Sequence, residues 1–478
     1  MTIAISDVKF RKPVTITDTG VNGGRKSSVQ RLTNVRHSLF PRVTKAERTA
    51  GVTRYRKDFW CNENALDEIA YDVLLYIEFP SNGGDRFYIG RGTQSDIQSE
   101  MLLDPPIWGG CGKLNSSLVG GEGSVDLLME ADDFEFRNGG ILHLSDKFKT
   151  GQTVDSDVQI GDSVTYSGGT WSKIASTTDI IYPNGVYVGS NVVMTNETGV
   201  SNEEFLTIAE NLTTDEDIGN GNGSSTSPAL TDLANVTNGL VGKAGFQPVI
   251  TATCGGTQRT VTIDENGDCS GYCSAGQINM DTGVWITDIT WTTAPDNATD
   301  ILATYYDKPY SYSGNVATVE LESGVTVANA YSSTNTYGAD CVENDDDEVK
   351  PLVSNWNENS VSGTYDETSY PLALNNDGAE EDQWTITFTS ATAFTVSGLY
   401  AGSVGTGSIS ADFIPINPNT GQPFFTLLSA GWGGTWANGE TLQFRTHPAA
   451  LPVWWKEIVP AATAAENNNL SIMGWYAE

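Results

Sequence analysis

Glycine divides this chain into short apolar segments and so restricts it to folds that are built from short elements. Fifty of the 478 residues are glycine, and Gly-Gly pairs occur at 109–110, 120–121 and 139–140. Only 18% of the residues are charged, whereas 12 tryptophans contribute to an aromatic content of 10%. Because glycine favours turns and aromatic residues favour strands, the composition predicts a mainly β fold, with several small antiparallel β domains in series.

Strand patterns recur along the sequence and are separated by turn residues. An apolar run at 70–79 is followed by a turn at 80–84 and a predicted return strand at 86–90. The other predicted strands are 158–166 with 170–174 around a Gly-Gly turn, 284–291 with 300–306, 316–321, 383–388, 393–396 and 408–414.

One helix is predicted. Ser201 and Glu204 have the spacing of a capping box, and the apolar residues Phe205, Leu206 and Ile208 follow. The Gly- and Ser-rich stretch 219–228 is typical of a linker. We therefore divide the chain into a basic extended arm (1–57), a first β domain (58–150), a small β module with a short helix and a linker (151–244), a β-hairpin domain with a cysteine cluster (245–350) and a Trp-rich β domain (351–478).

Positive charge is concentrated at the start of the sequence. Residues 1–60 contain 13 of the 26 basic residues and only four acidic ones, whereas the other 418 residues contain 13 basic and 56 acidic ones. Because opposite charges steer association, the basic segment is predicted to be an arm that contacts a neighbouring copy or another acidic protein. A disordered basic tail is the alternative. The predicted interface residues are Arg25, Lys26, Arg31, Arg36, Arg42, Arg54 and Arg56, with Asp345, Asp346, Asp347 and Glu348 as a hypothetical acceptor.

Motifs of catalysis and metal binding give little support to an enzyme. The three histidines, His37, His143 and His447, are far apart, and the sequence contains no GxSxG, HExxH or P-loop motif. With 60 acidic residues, a glycosidase-type carboxylate pair stays open. Residues 264–268 resemble the start of a calcium loop, but the glycine is misplaced and Ala275 stands at position 12, which favours an Asn-Gly turn. We expect no enzyme activity, no metal and no cofactor.

Cysteine and tryptophan each form one cluster. Cys254, Cys269 and Cys273 lie within 20 residues and predict either a disulfide or free buried thiols, because three cysteines without a nearby histidine do not complete a zinc site. Trp432, Trp436, Trp454 and Trp455 lie near the C-terminus. Tryptophans of this kind form either a core and subunit interface or a platform for sugar rings.

The charge balance and the hydropathy also restrict partners and location. A body this acidic is expected to bind neither nucleic acid nor an anionic membrane. No apolar run reaches about 18 residues, the length that a membrane span requires. The first 14 residues have no signal-peptide core, so we expect no export by the secretory route.

Three stretches resemble structural proteins of tailed phages with contractile, Mu-like tails. They are residues 6–64, beginning SDVKFRKPVTITDTG, residues 276–306, beginning GQINMDTGVWITDITW, and residues 434–460, beginning GTWANGETLQFRTHP. The resemblance implies a virion protein, made in the cytoplasm of a bacterial host, with copies of itself and other virion proteins as partners. It is consistent with a homo-oligomeric ring or decoration at the neck, collar or tail. The alternative is a baseplate- or fibre-associated protein that recognises host glycans with its C-terminal aromatic domain.

Overall fold

A computed structural model describes residues 3–32, 37–81, 83–146, 202–243, 245–344, 347–465 and 471–477, and the backbone of three short strands between 153 and 173. The mainly β, antiparallel character that the sequence predicts is confirmed. Helices are short: α1 is Lys45–Ala50, α2 is Gln98–Met101, and single 3-10 turns lie at Ile5–Asp7 and Ser429–Gly431. No helix in the described ranges is long and apolar enough to cross a membrane.

The strands of the first half are β1 (Val8–Thr15), β2 (Gly23–Gln30), β3 (Val52–Asn62), β4 (Ala70–Tyr71), β5 (Leu74–Phe79), β6 (Arg86–Arg91), β7 (Cys111–Leu114), β8 (Ser124–Leu128), β9 (Ile141–Ser145), β10 (Thr153–Val154), β11 (Val164–Ser167), β12 (Thr170–Lys173), β13 (Glu203–Thr207) and β14 (Leu212–Asn220).

The strands of the second half are β15 (Val249–Cys254), β16 (Thr257–Ile263), β17 (Cys269–Gly271), β18 (Cys273–Ile278), β19 (Trp285–Trp291), β20 (Asp300–Tyr306), β21 (Tyr310–Ser313), β22 (Val316–Glu320), β23 (Tyr337–Asp340), β24 (Val342–Glu343), β25 (Glu348–Val349), β26 (Leu352–Asn359), β27 (Thr364–Tyr365), β28 (Asp382–Phe388), β29 (Ala393–Gly398), β30 (Gly402–Ser408), β31 (Trp432–Gly433), β32 (Thr441–His447), β33 (Ala450–Val459) and β34 (Ile472–Tyr476).

A five-stranded sheet joins distant parts of the sequence in the order β2-β1-β3-β33-β6, and we call it the N-terminal sheet. Strand β33 fills the position between β3 and β6, with Val52 opposite Val459 and Lys57 opposite Trp454. The indole of Trp454 packs so closely on Gly23, which has a φ of +103°, that a side chain at Gly23 would collide with the ring. The sheet is therefore complete only when residues 450–459 are in place.

The extended arm that the sequence predicts is not found in the described part of residues 1–57. Val8–Thr15 and Gly23–Gln30 are instead paired strands of the N-terminal sheet. Val8 and Phe10 are buried because β1 also pairs with β3 and faces its core. The apolar residues of this segment thus belong to the fold of the chain itself.

A seven-stranded sheet has the order β13-β9-β23-β7-β8-β22-β21 and combines strands from three of the predicted segments. The helix predicted after Ser201 is wrong, because Glu203–Thr207 is a strand paired with β9. Leu206 and Ile208 are buried at strand spacing. The open edge of β9 supplies backbone partners that the local sequence does not reveal.

Between β13 and β21 the chain forms an inserted unit, residues 212–306, which we call the insert. Its two sheets have the orders β14-β20-β15-β16-β17 and β18-β19. Ile250, Val261, Ile289 and Ile301 are fully buried in a core of its own. The predicted linker at 219–228 is wrong, because Thr226 accepts a hydrogen bond from the backbone N–H of Trp291 and so fixes the segment against β19.

The C-terminal sheet has the order β26-β32-β28-β29-β30 and its own aromatic core, which includes Trp384, Phe388 and Trp436. Only Pro448 and Ala449 separate β32 of this sheet from β33 of the N-terminal sheet. The smaller sheets are β24-β5-β34, β4-β25, β27-β31 and β10-β12-β11. The predicted pairing of 70–79 with 86–90 is wrong, because β5 pairs with β24 and β34 whereas β6 pairs with β33.

Candidate functional site: the basic N-terminal segment

Strand β3 brings three cations of the basic segment into the interior. Side chains alternate along a strand, so Arg54 and Arg56 share one face of β3 with Asp58, and Lys57 lies on the other. Arg54, Arg56 and Lys57 are each 5% exposed or less. Because a buried cation is stable only when it is paired and hydrogen-bonded, each needs partners inside the molecule.

Arg54 is paired across the sheet. It stands opposite Glu457 of β33, and its Nη1 lies 3.1 Å from Glu457 Oε2. Its other amino group donates to Glu47, which caps helix α1. The bond from Arg54 lowers the pKa of Glu47 to about 2, whereas burial raises the pKa of Glu457 to about 7.

Arg31 and Asp58 form a second buried pair. Arg31 Nε donates to Asp58 Oδ2 over 2.5 Å, and another nitrogen of Arg31 donates to the carbonyl of Ser38. Burial raises the pKa of Asp58 to about 6, although the charge of Arg31 acts in the opposite direction. Arg31 thus fixes the segment after β2 onto the middle of β3.

Lys57 is the centre of a third set of contacts. Its ammonium group donates to Asp96 Oδ1 over 2.6 Å, to the Gly24 carbonyl over 2.9 Å and to the Asp96 carbonyl over 3.0 Å. Trp454 Nε1 donates to the other oxygen of Asp96 over 2.6 Å. Desolvation lowers the pKa of Lys57. The loop after β6 is therefore held to β2, β3 and β33 at one point.

The basic segment also contacts the C-terminal sheet. Nζ of Lys26 lies 3.6 Å from Oε1 of Glu380, and both residues are buried. The guanidinium of Arg25 lies 4.7 Å from the centre of the Tyr400 ring. Next to Glu380, Glu381 lies 2.6 Å from Nδ1 of His447. Arg56 is also paired inside the molecule, because its Nη2 lies 2.7 Å from Asp18 Oδ1.

The structure places the predicted interface residues in several different environments. Lys26, Arg31, Arg54 and Arg56 are buried in internal ion pairs, which corrects the expectation that they reach a neighbour. Arg42 is exposed, and no described carboxylate lies within 4 Å of it. Arg36, Asp345 and Asp346 lie outside the described residues. Asp347 is exposed, and Glu348 pairs with Lys350 rather than with the basic segment.

The clustered tryptophans follow the first of the two alternatives, which is packing in a core. Trp436, Trp454 and Trp455 are each 4% exposed or less. Trp432 is half-buried, and its ring makes edge-to-face contacts with Tyr365 and Phe388. These rings pack in the cores of two sheets, so they offer no open face to a sugar.

The cysteine cluster contains free thiols. Cys254 is buried in β15, and Cys269 and Cys273 are half-buried on neighbouring strands. Burial raises the pKa of Cys269 to about 12, which makes its thiol a poor nucleophile. The alternative of unpaired thiols is the one that the structure contains.

The calcium-like sequence at 264–268 forms the predicted hairpin turn. Asp264 Oδ1 accepts the backbone N–H groups of Asn266 and Asp268, and Ile263 lies opposite Cys269. Within the described ranges, no three His, Cys, Asp or Glu side chains are placed to hold a metal ion.

The acidic partners of the basic segment were missed from the sequence. Asp96, Glu380 and Glu457 lie 39, 354 and 403 residues from Lys57, Lys26 and Arg54. The available signal was a charged residue inside an otherwise apolar run, since Lys456 and Glu457 interrupt the strand pattern of 450–459. Charged residues in such a run are expected to have a buried partner.

No protein-family model, no curated protein and no solved structure matches this chain.

Proposed function

We propose that this chain is a non-enzymatic structural protein of a tailed phage particle, located in the virion as a homo-oligomeric ring or decoration at the neck, collar or tail. The observation that carries the proposal is the pairing of β3, which also pairs with β1, with β33. Two of the three stretches that resemble phage structural proteins, 6–64 and 434–460, supply these adjacent strands. A likeness at two distant places in the sequence thus corresponds to one unit in space.

Assembly would use cations of the basic segment that form no ion pair among the described residues. Arg42, Lys45 and Arg48 lie within seven residues on and before α1, and no described carboxylate lies within 4 Å of any of them. On a chain with a net charge of −34, such a patch attracts the acidic surface of another copy. This patch takes the role that the sequence assigned to the whole basic segment.

The hairpin of β1 and β2 also exposes apolar side chains. Val14, Val21 and Val29 are 48%, 59% and 55% exposed. Exposed apolar side chains contribute to surfaces that bind other proteins. Other virion proteins, besides copies of this chain, are the partners that the proposal names.

The test compares oligomeric states by mass photometry at low and high salt. The variant Arg42→Glu, Lys45→Glu, Arg48→Glu reverses the patch. The matched control, Lys113→Glu, Lys308→Glu, Lys350→Glu, makes the same change in net charge elsewhere. We expect salt-sensitive oligomers for the unmodified chain and the control, and monomers for the patch variant.

The proposal fails if the unmodified chain is monomeric under all conditions and also does not bind purified phage particles lacking it. Oligomers that survive reversal of the patch would leave self-assembly intact but would exclude Arg42, Lys45 and Arg48 as its contacts.

A further inference from the structure

An amine and a carboxyl group meet in the interior of the N-terminal sheet. Lys57 lies in the middle of β3 with a fully buried side chain, and its Nζ is 2.6 Å from Asp96 Oδ1. Asp96 belongs to the loop between β6 and α2. Trp454 of β33 covers the pair, and the centre of its ring lies 5.8 Å from Lys57 Nζ. The two reactive groups are thus held together at a place that water hardly reaches.

We propose that Lys57 and Asp96 condense to an intramolecular isopeptide bond, which joins β3 covalently to the loop after β6. The ion pair in the structure is the state before condensation. This inference concerns the chain itself and is independent of the proposed function.

The reaction balances without any further reagent. The ammonium group of Lys57 first passes a proton to Asp96 Oδ1, which gives a neutral amine and a carboxylic acid. The amine nitrogen then forms a bond to Cγ of Asp96. Oδ1 takes a second proton from the nitrogen and leaves as water when its bond to Cγ breaks. The products are one amide and one water molecule.

Burial favours the first step. Desolvation lowers the pKa of Lys57, so the neutral amine that attacks Cγ is more accessible in the interior than in water. Holding the two groups in contact also replaces an encounter between separate molecules, which is a large part of the barrier to amide formation.

Both oxygens of Asp96 accept a protein N–H group, and Oδ1 accepts that of the Thr93 backbone over 2.9 Å. Trp454 Nε1 donates to Oδ2 over 2.6 Å, which is the oxygen that remains as the amide carbonyl. A donor at this position stabilises the negative charge that develops when the amine attacks Cγ. The Asp96 side chain is 13% exposed, compared with 0% for Lys57, so the leaving water has a path to solvent on the Asp96 side.

Two further carboxylates act on the site from a distance. Glu100 of α2 and Glu381, which precedes β28, both favour the charged form of Lys57, against the desolvation that favours the amine. Because neither makes a hydrogen bond to Lys57, the proton transfer is assigned to Asp96 itself.

The experiment is mass spectrometry of the purified, folded full-length chain, followed by peptide mapping. We expect an intact mass lower than the sequence mass by one water molecule. Trypsin should release a branched peptide that joins the residues around Lys57 to those around Asp96, with no cleavage after Lys57.

Two variants fix the assignment. Asp96→Asn removes the carboxylate that takes the proton from Lys57, and Lys57→Met, which keeps the length of the side chain without the amine, removes the nucleophile, so neither variant should lose water. Trp454→Phe keeps most of the ring and removes the donor, so it should form less branched peptide in the same time.

A full intact mass without a branched peptide, after prolonged incubation of the folded unmodified chain, would overturn the proposal. So would a water loss that persists in Lys57→Met, because the loss would then come from another site.

Discussion

The N-terminal sheet and the insert are both antiparallel β structures, but they are stabilised in different ways. The N-terminal sheet contains the buried cations Arg54, Arg56 and Lys57, and its strands come from positions 400 residues apart. The insert is contiguous, with two basic and eleven acidic residues in 212–306, and its core is apolar, with isoleucine as the most frequent residue. The comparison shows that the basic sequence is needed for the interior of the first unit, whereas the acidic sequence covers the outside of the second.

The largest difference in stability between the two units is expected when one arginine in each is replaced by alanine. Arg31→Ala leaves Asp58 buried without its partner and should lower the opening free energy of β3 by about 3 kcal/mol. Arg259→Ala in the insert, whose guanidinium stacks on Tyr272 at 4.6 Å, should cost at most about 1 kcal/mol. Hydrogen exchange of the β3 and β16 amides measures both.

A double variant is the control for this prediction. Arg31→Met with Asp58→Asn removes both charges and should recover part of the loss. If Arg31→Ala and Arg259→Ala lowered the opening free energy by equal and small amounts, the result would contradict the proposed difference between the two units.

The next-largest difference between the two units is expected in how their stability depends on pH. Burial raises the pKa of Glu457 to about 7, above the ordinary value of 4.5, so the folded N-terminal sheet binds a proton that the unfolded chain has lost between these values. The stability of the sheet therefore falls as the pH rises from about 4.5 to 7, by about 2 kcal/mol for this group. Asp58, with a pKa raised to about 6, changes stability in the same direction.

Glu457→Gln tests that prediction, since the amide keeps the shape and does not titrate. The opening free energy of β33 amides should lose most of its slope between pH 6 and 7 in this variant, whereas part of the slope below pH 6 should remain, because Asp58 supplies it. A steeper slope in the insert than in the N-terminal sheet would contradict the assignment.

The contact of the basic segment with Glu380 should contribute less to stability than the buried pairs of the N-terminal sheet. Glu380→Gln removes the charge that faces Lys26 and should cost about 1 kcal/mol. Limited proteolysis should then cut the β1–β2 hairpin faster while the insert is cut at its normal rate. Unchanged cleavage of the hairpin would mean that Lys26 and Glu380 do not hold it.

The smallest effect is expected at the exposed cations. Arg42→Glu should change the stability of either unit by less than about 0.5 kcal/mol, because its side chain has no carboxylate partner to lose. Thermal unfolding of the unmodified chain and this variant measures it. A large loss of stability would show that Arg42 belongs with the buried group.

The comparison also explains what could be predicted from the sequence. In the insert, the strand over Trp285–Trp291 and the Asn266-Gly267 turn follow from local alternation and turn chemistry, and both are confirmed. The meander of β28 and β29 is confirmed for the same reason. Local patterns determine these elements because their partners are near in sequence.

The N-terminal sheet could not be predicted in this way. The pairing of Arg54 with Glu457 joins residues 403 positions apart, and no local pattern contains it. The same limit applies to Glu203–Thr207, where the edge of β9 converts a helical spacing into a strand. The sequence shows the excess of positive charge in residues 1–57, but it does not show that Arg31, Arg54 and Arg56 find their partners inside the chain.

Hydrogen exchange of the full chain, at a concentration where it is monomeric, tests the central claim most directly. If the basic segment is part of the N-terminal sheet, the amides of β1 and β3 will be protected together with those of β33 and will open with the same free energy. Exchange of the β1 and β2 amides within seconds, while β33 and β6 stay protected, would contradict it and restore a free basic arm.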